Sequence, residues 1–503
     1  MAQSQSTNGL PTAVDLGHHI NSRSRARHPS PLKDIIRFMA VDDMVSLAGG
    51  LPHPSFFPFH TVTVTTSAPT VKNSTCSLEL PLEDFLQYGS GAGNPQLRSW
   101  CREFTQRVHQ PAYADWEVLL HPGNTNAWSK VVGLLCEPDD YILCESYTYP
   151  SAQAFWIPLG NKAAPVPADA EGMRADALTE ILHDWEHTHP GTRRPHVLYL
   201  VSVGSNPSGV TMSIKRRREI YDVCVEYGDV IIVEDDPYFF LQYPDYDASQ
   251  SATDAPELVG SDEFVMSLTP SMLQFDHQGR VIRLESFSKT LAPGLRLGYF
   301  ISNSVFTERL LRATEVETQD PSGVSQALVL RLMEHWGING YLGWLQRLGV
   351  EYRRRRDWII DAFSQHFRLE HAPDAGSTLV AYLADVPIFS FVPPTGGMFI
   401  WACFYLAQNP AFKQLRHGPD VVDPEQAVAD QLWQQFAEAK VLLTPGSYYH
   451  PWQGPDKVTT NARGATATTT YFRFSFSMTT KEEMERGIAR MAQVIRASWK
   501  LEQ

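Results

Sequence analysis

A chain of 503 residues, 43% apolar and 11% aromatic, is long enough for one large two-part enzyme or two ordinary domains, with material for a sizeable core. Its formal net charge of -14 argues against nucleic acid as a partner, because a phosphate backbone would be repelled, and nothing in the charge balance points to a membrane surface. No run approaches the roughly 18 uninterrupted apolar residues of a membrane span.

The opening stretch, MAQSQSTNGLPTAVDLGHH, has no charged segment followed by an apolar core and does not read as a secretory signal. Residues 1–29 are polar and rich in Ser, Arg and His, which predicts a flexible arm. Pro29 and Pro31 mark the entry into the body of the protein. Cys76, Cys101, Cys136, Cys144, Cys224 and Cys403 are scattered and form no Cys-x-x-Cys pair. Reduced thiols in a cytoplasmic protein, with no metal centre, are therefore expected.

From about Leu97 to Ile301 short apolar runs alternate with helical patterns. Residues 141–144, 197–201, 230–233 and 281–284 read as buried strands, and 215–227 as an amphipathic helix between two of them. This alternation predicts an α/β domain with a mainly parallel sheet. Residues 244–262 and 453–470 are polar and read as surface loops. Beyond Trp344 a long helical pattern carries Arg353-Arg354-Arg355-Arg356, expected to be a solvated face. The remainder holds fewer buried strands, ends in an amphipathic helix over 481–499, and is expected to form a smaller second domain.

The chemistry concentrates in Ser286-Phe287-Ser288-Lys289-Thr290-Leu291-Ala292-Pro293-Gly294-Leu295-Arg296-Leu297-Gly298-Tyr299. It follows a predicted strand, and ligands of open α/β sheets bind at the C-terminal ends of strands. A lysine amine whose pKa is lowered by its neighbours can form an imine with an aldehyde cofactor. The hydroxyls of Ser286 and Ser288 and the guanidinium of Arg296 suit a phosphate dianion. Gly123, ahead of a predicted helix that begins with Asn124 and Thr125, would offer backbone N–H groups to the same anion. Asp235 closes an apolar strand, where a buried carboxylate needs a partner; Asp236 is the competing carboxylate. Arg473 lies in an alternating strand, with Phe472, Phe474 and Phe476 on one face and Tyr471, Arg473 and Ser475 on the other.

The lysine block resembles the cofactor-lysine segment of the fold-type I aminotransferases of class I/II, which use pyridoxal 5'-phosphate (PLP). Asn206-Pro207-Ser208-Gly209 is similar to the family's Asn-Pro-Thr-Gly turn, Asp235 through Tyr238 to its strand-end Asp and Tyr, and Arg473-Phe474-Ser475 to its substrate-carboxylate arginine segment. The stretches 46–52 and 394–399 resemble the branch of 2-aminoadipate/kynurenine and fungal aromatic amino-acid aminotransferases. The likeness runs from Ser30 to Trp499.

It implies a type I PLP fold: a large domain with a mostly parallel seven-stranded sheet over 81–345, and a smaller α+β domain drawn from 30–80 and 346–503. It implies Lys289 as the Schiff-base lysine and proton carrier. Asp235 would pair with the cofactor's ring nitrogen, and Asn206 and Tyr238 would donate to its phenolic oxygen. Tyr149 would stack on the ring, with Tyr147 as the alternative. Arg473 would hold the substrate carboxylate, with Asn206, Gly50, Lys33 and Phe399 as further substrate contacts. Tyr88 would reach the phosphate of a second subunit in a homodimer. The implied reaction moves an amino group from an aromatic or bulky amino acid to a 2-oxo acid; carbon–sulfur β-elimination on the same fold is the alternative. Ser202 and Ser205 depart from the family pattern in a loop expected to border the substrate pocket, as does Lys33.

Overall fold

The computed structural model describes residues 9–29, 43, 45, 47–48, 50–67, 75–227, 229–249, 258–373, 376–418, 421–451 and 458–501. Its central sheet has seven strands in the spatial order Trp116–His121, Gly298–Asn303, Val281–Ser286, Ile231–Asp235, Val197–Leu200, Tyr141–Glu145 and Lys162–Val166. Gly298–Asn303 runs antiparallel to both its neighbours, and every other pairing is parallel. The four apolar runs named from the sequence are the middle of this sheet. They are continuously apolar because helices cover both faces. The amphipathic helix between two of them is Ile214–Glu226.

Strand alternation divides the polar residues of these strands between the two faces. Tyr199, Val233, Ile282 and Leu284 pack in one core with Ala127, Trp128 and Val131 of the helix Asn124–Leu135. By parity Asp235 and Ser286 share that face. Ile232 and Val281 belong to the core on the other side, and Glu234, Arg283 and Glu285 follow them there.

The second sheet has six antiparallel strands in the order Arg368–His371, Leu379–Leu383, Val386–Phe391, Phe399–Tyr405, Thr469–Ser475 and Thr444–Pro445. That is more strand than the sequence pattern suggested. Phe472, Phe474 and Phe476 are buried along one face of the Thr469–Ser475 strand and its end. The closing helix Lys481–Trp499 starts in a capping box formed by Thr480 and Glu483. It packs on the long helix Gly323–His366, which joins the two sheets and breaks at Gly337, where φ is 64°. No described helix is long and apolar enough to cross a membrane.

Three expectations need correction. Residues 9–29 are docked rather than loose: Leu16 and Ile20 are buried, and the Asn21 side chain donates to the carbonyls of Gly133 and Cys136. The strands Thr61–Ser67 and Thr75–Pro81 do not join the second sheet; they pair with each other, against the long helix. Arg356 is not on a solvated face. It is fully buried, donating to Asp357 and to the carbonyls of Pro244 and Pro394, so that part of the basic run ties the helix to two loops.

Candidate active site

The C-terminal ends of the central strands open into a cavity of about 400 Å³, closed on the far side by Met398, Phe399 and the strand carrying Arg473. Lys289 and its flanking serines enter from the turn after Val281–Ser286. Among the described residues three cations, Lys289, Arg296 and Arg473, line it against one carboxyl, Asp235. Such a balance calls for anions.

At one end Ser286 is buried, and its Oγ accepts the N–H of Ser288 at 3.0 Å. Ser288 Oγ accepts from Arg296 Nη1 at 3.2 Å. Arg296 also donates to the carbonyls of Pro293 and Pro122, which holds its guanidinium beside Gly123. Gly123 has φ 94°, and a Cβ there would meet Arg296 Nη2 at 1.9 Å, so only glycine permits the approach. Gly123 caps the helix Asn124–Leu135, and Thr125 lines the cavity. Free N–H groups at a helix start, two hydroxyls and a fixed guanidinium form a phosphate cradle.

Asp235 lies deeper, fully buried. Its Oδ2 accepts from Tyr199 Oη at 2.7 Å and its Oδ1 from Asn124 Nδ2 at 2.7 Å. Burial raises its pKa, and these two donors oppose the rise. Asp236 points to the other side of the strand. It accepts from Ser202 Oγ at 2.8 Å and the Val203 N–H at 2.8 Å, and burial pushes it up to about 6. Alternation therefore gives the cavity to Asp235.

Burial, then Arg296 and Arg473, lower the pKa of Lys289, which brings its neutral, nucleophilic form closer to physiological pH. Arg473 donates to Asn206 Oδ1 at 2.8 Å and lies over the Phe399 ring at 4.2 Å. Its Nε is buried without a partner, and among the described residues no carboxylate pairs with it. A half-buried guanidinium with an unpaired buried N–H is costly unless a ligand supplies the anion. Tyr238 is buried edge-on to Phe399, and Tyr149 flanks the cavity at the start of the helix Pro150–Trp156. Cations, cradle, buried carboxyl and lowered lysine together fit PLP plus a carboxylate substrate.

Fold and cavity thus define a fold-type I PLP enzyme. The family model for aminotransferase class I and II matches residues 79–491. An aromatic amino acid aminotransferase of Schizosaccharomyces pombe is 36% identical over 408 residues, 77% of this chain and 81% of that one. An L-tyrosine:2-oxoglutarate aminotransferase of Serpula lacrymans is 32% identical over 463 residues, 87% and 84% of the two chains. The crystal structure of the aminotransferase Aro8 from Candida albicans superposes with a TM-score of 0.85 at 32% identity, covering 98% of this chain and 100% of that one. The chain belongs to the class I and II aminotransferases, and it is a PLP-dependent enzyme.

Some residues sit elsewhere than the sequence reading placed them. The Asn124 side chain faces Asp235 and the Leu284 carbonyl instead of the phosphate cradle. Tyr147 packs with Trp401, His450 and Tyr471 outside the cavity, so of the two tyrosines Tyr149 is the one that lines it. Ser202 and Ser205 do not border the cavity; Ser202 serves Glu234 and Asp236, and Ser205 serves Glu145. Gly50 is exposed with no atom near its Cβ position and does not line the cavity; Tyr88, expected to act on a second subunit, is 56% exposed. Lys33 lies outside the described residues. Tyr199 and Trp128 line the cavity and were not singled out as site residues. A hydroxyl within the apolar run 197–201 was the available signal, since a buried Tyr needs a partner.

Proposed function

We propose that this aminotransferase takes the amino group of an aromatic amino acid and passes it to a 2-oxo acid. The observation that carries the reading is Arg473, a half-buried guanidinium whose Nε is buried without a partner and which has no described carboxylate beside it, in the same cavity as Lys289. A bidentate fork there suits an α-carboxylate. The aromatic walls Tyr149, Tyr238 and Phe399 suit an aryl side chain, in keeping with the names of the similar proteins.

Bound PLP supplies an aldehyde and a ring that accepts the electrons left when the substrate Cα loses its proton. In this reading Ser286, Ser288, Arg296 and the helix start at Gly123 hold its phosphate. Asp235, steadied by Tyr199 and Asn124, keeps a positive charge opposite its carboxylate. Asn206 and Tyr238 offer donors to the phenolic oxygen. Lys289 Nζ carries the Cα proton as base and then as acid. Arg473 fixes the carboxylate, with Asn206 orienting the guanidinium. Incubating the holoenzyme with Phe or Tyr and 2-oxoglutarate, with mass spectrometry of products, should yield the aryl 2-oxo acid and glutamate. Thiol and pyruvate from a cysteine S-conjugate without any oxo acid, and no transfer from Phe or Tyr, would overturn the reading.

A homodimer completes the proposal. Val45, Leu47, Phe56 and Phe59 are exposed apolar residues in the stretch leading to Tyr88, a surface suited to a second copy. Tyr88 would reach the partner's phosphate cradle. Light scattering should give a dimer mass, and mixing Tyr88→Phe with Lys289→Ala subunits should restore part of the lost activity. We also assign the protein to the cytosol, a reducing compartment in keeping with six free cysteines; fractionation or imaging of a tagged chain tests this.

A further inference from the structure

The helical turn Gly17–His19 sets His18 and His19 against Asp229, the residue two places before the strand Ile231–Asp235. His18 Nε2 lies 2.7 Å and His19 Nε2 2.9 Å from the same oxygen, Asp229 Oδ1, and the three donor atoms all fall within 4.8 Å of one another. The His18 and Asp229 side chains are about half exposed, at 53% and 51%, while that of His19 is wholly buried.

His18 can satisfy Asp229 by an ordinary hydrogen bond. His19 cannot be explained in the same way. Both its ring nitrogens are buried and neither makes a hydrogen bond, although Nε2 is 2.9 Å from Oδ1. The direction is wrong for an N–H on that oxygen. His19 therefore turns a buried ring nitrogen without an aligned hydrogen bond into a cluster that also holds a carboxylate oxygen and a second imidazole nitrogen. Ring nitrogens and carboxylate oxygens are metal ligands.

We propose that His18, His19 and Asp229 hold a divalent first-row transition metal, Zn²⁺ being the natural probe, with water completing the coordination. Imidazole and carboxylate ligands suit Zn²⁺. Tetrahedral Zn²⁺ holds its N and O ligands about 2.0–2.2 Å from the metal, hence roughly 3.3 Å apart. The nitrogens would part from Oδ1 by about 0.5 Å to reach that spacing. The half-exposed His18 and Asp229 leave an entry path, and burial of His19 gives the site a rigid side.

The site would staple the N-terminal segment to the central sheet. The same segment clasps the end of the helix Asn124–Leu135 through Asn21, and that helix begins at the phosphate cradle. Asp229 stands at the opposite end of its strand from Asp235, so the metal acts on stability and stays out of the chemistry.

PLP-saturated full-length protein, stripped with a chelator, is titrated with ZnCl₂ by calorimetry and followed by thermal unfolding. Saturable, stoichiometric binding with a rise in Tm is expected. His18→Ala and Asp229→Asn, both at half-exposed positions, should each weaken binding at least about tenfold and abolish the Tm rise, with turnover unchanged. His335→Ala, an exposed histidine elsewhere, should bind as the parent does. Isotherms that are the same in the parent and both cluster variants would overturn the site, and binding without any gain in Tm would overturn the staple.

Discussion

Asp235 has two donors in place before any cofactor is considered: Tyr199 on the neighbouring strand and Asn124 at the helix start. Asn124 also bonds the Leu284 carbonyl, so it ties the helix, the lysine strand and the carboxylate together. It is a positioning residue. Asn124→Ala should lower kcat by about 1–3 kcal/mol of lost transition-state stabilisation, with KM less affected, and shift the pH titration of the bound cofactor's absorbance. A fall in thermal stability with an unmoved titration would leave only a structural role. Asp235→Asn should lose most activity and Asp236→Asn much less, because Asp236 is occupied by Ser202 and Val203. Arg473→Ala should raise KM for every amino acid by about 2–4 kcal/mol in binding, measured by steady-state kinetics.

At the scale of elements, the sheet's two faces have different polar contents for one reason, strand alternation. Opposite the cavity, Arg283 forms ion pairs with Glu234 at 2.8 Å and Glu285 at 2.6 Å, and His109 contacts Glu285 at 2.9 Å, all buried. Burial works against the Glu234 anion, yet Arg283 and Arg217 outweigh it and hold its pKa at about 2. This network welds the cofactor-bearing strands Ile231–Asp235 and Val281–Ser286 from behind. Arg283→Met leaves the acids uncompensated and should cost about 3–5 kcal/mol in denaturant unfolding. Gly123→Ala should weaken PLP binding, because its Cβ would drive Arg296 out of the cradle; equilibrium dialysis of the cofactor reads this.

Over the whole molecule, stability acquires a pH dependence from Glu145. It is buried at the end of Tyr141–Glu145, where burial raises its pKa from 4.5 to about 7 although Ser205 donates to it at 2.9 Å. A carboxyl with a raised folded pKa binds its proton more tightly when folded. Its contribution is full below pH 4.5 and is lost as pH rises through about 7, up to about 3 kcal/mol. Glu145→Gln should flatten that decline, seen as Tm against pH; a parallel curve would mean another group carries it.

The order of motifs, the lysine block and the apolar runs determined the family, the parallel sheet and most cavity residues, because those signals are local: strand burial is written in apolar runs, and a strand's end is where its polar residues begin. The family resemblance separates Asp235 from Asp236 by its three-residue step to Tyr238, and in the structure Asp235 lines the cavity while Asp236 bonds Ser202 and Val203. Contacts between residues far apart in the chain were decided only by the tertiary structure. Asn124 reaches Asp235 across 111 positions, and the Ser202–Glu234 and His109–Glu285 pairs span 32 and 176. Arg356 is buried because two loops bring carbonyls to it, which a basic run in sequence does not reveal. Residues 1–29 read as an arm because several polar groups of the described part, 9–29, find partners on the folded body, among them Gly133, Cys136 and Asp229. Composition records which groups need partners, and the fold alone decides where those partners are.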